Sequence, residues 1–163
     1  MSMGQRGFTL IELLIAIGVM GILTAVATAQ FGTMQRKGAI ERQVVTIYSN
    51  LVDVRLQALY TKTARTVVVS GKKLNIYPTA DTSGAPSSVV ELPFPVVMGT
   101  GIDRVKFDAS GMMLDAESSI CVQPDGVANN PGNTDSVVIS AAKIHMGKRQ
   151  SGGACDPDDI DQK

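Results

Sequence analysis

After a short polar start the chain enters a nearly unbroken apolar run, and then its rhythm changes. Phe8 to Phe31 reads FTLIELLIAIGVMGILTAVATAQF, roughly 24 residues with Glu12 as the one charge, against the ~20 that a helix needs to cross a hydrocarbon layer. Beyond it, Ile40, Val44, Ile47, Leu51, Val54 and Ala58 recur at alternating spacings of 4 and 3, with Glu41, Arg42, Asn50, Asp53, Arg55 and Gln57 elsewhere around the turn. That period marks an amphipathic helix. No proline interrupts Phe8 to Lys62, so the pattern predicts one continuous helix of roughly 55 residues, about 80 Å long. Gly32 and Gly38 fall at the joint between its halves and each costs about 1 kcal/mol relative to Ala, which makes the joint the place for fraying.

The remainder alternates short β-branched runs with turn residues. Arg65 to Val69 and Lys73 to Tyr77, joined at Ser70-Gly71-Lys72, read as a hairpin. Val89 to Leu92, Ile102 to Phe107, Met112 to Leu114, Ser119 to Gln123 and Ser136 to Ser140 follow as strands, separated by Pro, Gly, Asp and Asn clusters. Thr79 to Ser88 and Pro124 to Asp135 read as exposed loops. The expected class is α+β: a long N-terminal helix, half membrane-spanning and half amphipathic, packed against one face of a mostly antiparallel sheet.

Charge adds a constraint. The 15 Lys and Arg balance 15 Asp and Glu in a chain of 163 residues, so there is no global basic field for nucleic acid and no acidic disordered character. The length suits one ordinary domain. No catalytic signature is legible: the P-loop, the nucleophile elbow and the H-E-x-x-H zinc motif are all missing from the sequence. His145 is the single histidine and no C-x-x-C occurs, so neither a metal nor another cofactor is expected.

The apolar run admits two readings. Arg6, the run and Ala27-Thr28-Ala29 have the order of a secretory signal with an A-x-A cleavage site, which would release a small secreted hydrolase. Against this, the run is longer than an ordinary signal core, and Glu12 sits inside it at a cost of about 2.5 to 3.5 kcal/mol at mid-membrane. An intramembrane carboxylate is usually functional.

Gly7-Phe8-Thr9-Leu10-Ile11-Glu12, behind a polar leader with Arg6 and ahead of the apolar helix, resembles the class III signal of type IV pilins and type II secretion pseudopilins. The resemblance implies that a prepilin peptidase cuts after Gly7 and methylates Phe8. It implies that Glu12 receives the positive terminus of a neighbouring subunit during filament assembly. The partners it implies are other major and minor pilins or pseudopilins. Its boundaries are a leader at 1–7, a transmembrane and filament-core helix at 8–31, an amphipathic helix at 32–64 and a β-rich head at 65–163. The head would lie in the periplasm, anchored by a single pass in the bacterial inner membrane, and later in a pilus or pseudopilus. Gly21, Ala25 and Ala29, with Gly18 beside them, form a small-residue line along which helices can approach closely.

Leu56-Gln57-Ala58-Leu59, Val105 to Gly111, and Val137 to Ser140 followed by Gly147-Lys148-Arg149 resemble the H-type pseudopilin and FimT/FimU-type minor pilin branch, and so imply a structural subunit at a filament tip or priming complex. Some FimT-like minor pilins bind DNA through a basic glycine-arginine motif near the C terminus. Lys148 and Arg149 stand in the comparable region but depart from its G-R-x-R pattern, which keeps DNA as a rival partner. Cys121 and Cys155 lie beyond the membrane segment. An oxidising periplasm favours their pairing, whereas a reducing compartment would leave two thiols. The acidic Asp156 to Asp161 tail reads as a frayed terminus; calcium is its alternative.

Overall fold

Helix α1 spans Leu10–Thr61 without a break. The computed structural model describes residues 9–99, 101 and 103–162, the side chains of 27–29 excepted. The expected leader and the Gly7–Phe8 junction lie outside the described residues. Two units are distinguished, Met1–Gln35 and Arg36–Lys163, and α1 supplies most of the described part of the first and the opening element of the second. Gly32 and Gly38 are both helical. The helix ends on Lys62, whose φ of 53° is left-handed, while Thr63 N donates to Ala58 O at 3.3 Å. This is the Schellman closure, here with lysine where glycine is usual.

In the second unit the helical face with 4 and 3 spacing becomes the core. Ile40, Val44, Ile47, Leu51, Val54 and Ala58 are all completely buried, and each large side chain contributes about 1.5 to 3 kcal/mol by leaving water. The strands number nine among the described residues, in two antiparallel sheets rather than the one sheet expected. The first runs in the order β3 (Ser88–Glu91), β2 (Lys73–Tyr77), β1 (Arg65–Ser70), β5 (Arg104–Phe107). The second runs in the order β4 (Val96–Met98), β6 (Ser118–Val122), β7 (Ser136–Ile139), β8 (Ile144–Arg149), β9 (Ile160–Gln162). Gly71, at φ 56°, supplies the positive φ of the β1–β2 turn, with Ser70 paired to Lys73.

Strands β6 and β7 are buried at every position, as a doubly covered central strand requires. Ile120, Val122, Val137 and Ile139 join the helix core. Cys121 and Val138, on the opposite face, meet Ile160 of β9 together with Val97 and Cys155. The tail is therefore not a frayed end: Ile160 packs on the sheet and β9 pairs with β8 from Gly147–Gln162 to Arg149–Ile160. Met112 to Leu114 forms no strand, only the single bridge Phe107–Met113, because the tight turn Asp108 to Gly111 returns the chain across β5 for one residue.

Polar residues of α1 fasten the loops. Gln43, 2% exposed, donates to Phe94 O and accepts from Phe94 N, both at 2.8 Å, which satisfies its amide as a backbone partner would. Arg36 is ion-paired with Asp125, Glu41 accepts from Asn133 N at 2.8 Å, and Arg55 donates to Ala142 O at 2.7 Å.

Candidate functional site

The N-terminal segment is built from Thr9 onward. Thr9 Oγ1 and Thr9 O both accept from Glu12 N, at 3.3 and 3.1 Å, so Thr9 caps α1 and Glu12 occupies its third position. The T-x-x-E spacing is the sequence signal of a capping box. Glu12 thus stands in the first helical turn, where the unpaired N–H groups favour negative charge. Around it Leu10 is 78% exposed, and Ile11, Leu13, Leu14 and Ile15 are also exposed. A methyl group built on Gly18 or Gly21 meets nothing in the chain. The Thr24 hydroxyl bonds to Met20 O at 2.7 Å, which satisfies it without water. By length and composition this helix is able to cross a membrane. The arrangement offers lipid or other helices a continuous apolar surface, and any approaching cation one carboxylate.

At the other end of the chain Cys121 and Cys155 are joined, with Cα atoms 5.9 Å apart. The bond closes a separation of 34 residues, for which the chain-entropy model gives roughly 3.5 to 4 kcal/mol. It ties the tail to the fully buried strand β6. The acidic side chains are engaged in the same fastening. Asp156 accepts from Asp158 N, Asp159 from Ala154 N, and Asp161 from Gln150. Gly99 admits the tail: a Cβ there would fall 1.9 Å from Cys155 O.

The basic segment separates into two groups. Lys148 Nζ bonds to Asp135 Oδ2 at 2.8 Å and to Asn130 O at 2.9 Å. Arg149 is 4% exposed and donates to Ala128 O. Asp135, itself buried, also accepts from Arg149 N at 2.9 Å and Ser136 Oγ at 2.8 Å. Both cations anchor the Pro124 to Asp135 loop, so offering either to a phosphate means breaking internal bonds. Sequence spacing alone does not reveal this, because the partner Asp135 is thirteen residues from Lys148. Lys143 and His145 instead line a groove beside α1.

The family model described as the prokaryotic N-terminal methylation motif matches residues 2–28. The fold is similar to that of the type IV minor pilin FimU of Pseudomonas aeruginosa strain PAO1, seen in two crystal forms. In one the TM-score is 0.54 at 16% identity, over 65% of this chain and 90% of that one. In the other it is 0.50 at 18% identity, over 69% and 87%. No curated protein matches the sequence.

Proposed function

We propose that this chain, a pilin-like fold that begins with the N-terminal methylation motif of type IV pilins, is a minor pilin. It is a structural subunit of a type IV pilus or of the related secretion filament. The observation that carries this reading is the coincidence of the motif, over residues 2–28, with a helical stretch, Leu10 to Val26, whose large apolar side chains are exposed. Prepilin peptidase removes the leader after Gly7 and methylates Phe8. The mature helix holds the protein in the inner membrane with its head in the periplasm, until the subunit joins other pilins.

Glu12 supplies the selective contact. A carboxylate in an apolar helix is costly until a cation meets it, and the methylated amino group of Phe8 on a neighbour is such a cation. Capping by Thr9 fixes the helical register in which Glu12 is presented. The test is Glu12→Val. Processing and membrane insertion should persist while incorporation into filaments is lost; normal incorporation of that variant removes the role assigned to Glu12.

A further inference from the structure

Helix α1 carries a second apolar stripe that its own head buries only in part, at Tyr48 and Val52. Val45, Tyr48, Val52, Leu56 and Leu59 follow at spacings of 3, 4, 4 and 3, turned away from the buried stripe by roughly a third of the circumference at 100° per residue. Val45 is 52%, Leu56 44% and Leu59 38% exposed. From Tyr48 to Leu59 the stripe forms one wall of a groove of about 380 Å³. The Ser110-Gly111 turn and the start of β8 form the other. The opposite flank of the helix is polar, with Thr46, Asn50, Asp53 and Gln57, so the stripe is a feature of one side.

Two properties of the groove define what fits it. Its length along α1 is about 16 Å, eleven residues at 1.5 Å each, with apolar ridges at i, i+4, i+8 and i+11, the spacing into which the side chains of another helix interdigitate. Its titratable lining residues of basic type are Arg55, Lys143 and His145, and no Asp or Glu lines it. Arg55 is held in place by Ala142 O, and the turn opposite is held by Asp108, whose carboxylate accepts from Ser110 N and Met112 N, both at 2.8 Å. The walls are therefore fixed before any partner arrives.

We infer that this groove docks an amphipathic helix of another protein, one whose apolar stripe is flanked by acidic residues. Apolar side chains of that helix pack between Val52, Leu56 and the β8 edge, and its carboxylates meet Lys143 and His145. The inference rests on the head alone and is independent of the processing of the N terminus.

The experiment places a benzophenone amino acid at Leu56 of the full chain in its native membranes, with the same group at Asp53 on the polar flank as control. After irradiation the adducts are sequenced. The expected result is a polypeptide adduct at Leu56 and not at Asp53, attached within an apolar, acid-flanked helical segment. Its yield should fall at least fivefold when Lys143→Glu and His145→Glu are combined, in material whose Cys121–Cys155 bond still forms. An adduct with lipid, nucleic acid or a second copy of this chain overturns the inference. So does the lack of any adduct, a basic segment, or a yield indifferent to charge reversal. Correct processing at Gly7 with no adduct would fail this inference and leave the minor pilin reading standing.

Discussion

Lys148 Nζ lies 2.8 Å from Asp135 Oδ2, and the carboxylate side chain is 1% exposed. The pair joins β8 to the end of the Pro124 to Asp135 loop and to the start of β7. The second oxygen of Asp135 holds Arg149 N and Ser136 Oγ, so one side chain organises three segments. Asp135→Ala removes the partner of a half-buried ammonium and of a buried N–H together. Breaking such a pair from one side costs about 3 to 5 kcal/mol, and the expected result is a lowered urea midpoint by that equivalent. Lys148→Met keeps the stem but leaves the buried carboxylate without its cation, so its cost should fall in the same range.

Cys155→Ser, or Cys121→Ser, opens the loop of 34 residues. The expected loss is about 3.5 to 4 kcal/mol as an upper figure. It should appear first in β9, as faster exchange of the Gln150 amide, which donates to Asp159 O at the head of that strand, because β9 has one neighbour and one well-buried residue, Ile160.

Gly147 has no room for a side chain: a Cβ there would stand 2.4 Å from Ile160 Cγ2 and 2.9 Å from Asp161 O. Gly147→Ala should therefore lever β9 from β8 at a cost of about 1 to 3 kcal/mol. Gly84→Ala, where the space is open, is the control and should change the midpoint little.

Asp108 ties its pH response to the groove turn. Its carboxyl is held below its ordinary value of 3.8, chiefly by the Met112 N–H, with the Ser110 hydroxyl and N–H adding to it against a smaller opposing effect of burial. A depressed folded value means the turn is fully supported above pH 3.8 and loses that support as the pH falls through the lower, folded value. The amide resonances of Ser110 and Met112 should move together in a titration from pH 6 to 2, with their midpoint below 3.8.

The helical half of this fold was legible because Ile40 to Ala58 repeat with a period that only a helix has, and all six positions are buried. Runs such as Val137-Val138-Ile139 were legible as strands for the same reason of composition. Strand β8 was not, since Ile144-His145-Met146-Gly147-Lys148-Arg149 reads as a basic surface motif; only long-range bonds to Asp135 and Ala128 make its cations interior. β4 follows Pro93 and Pro95, and β9 lies in an acidic tail, so both owe their pairing to tertiary context. The division into two sheets depends on which strands meet, information that local pattern does not hold. At the N terminus the T-x-x-E signal of the Thr9 cap is present in the sequence, whereas the Gly7–Phe8 junction is a sequence motif outside the described residues.

The account turns on that junction. Intact mass and terminal-peptide mass spectrometry of the full-length protein, extracted from the membranes of a cell that has prepilin peptidase, reads it directly. The account predicts a chain that starts at Phe8 and carries one methyl group on its amino nitrogen. A mature chain that starts at Gln30 contradicts it, because the helix proposed as the membrane anchor and assembly element would then be a discarded signal.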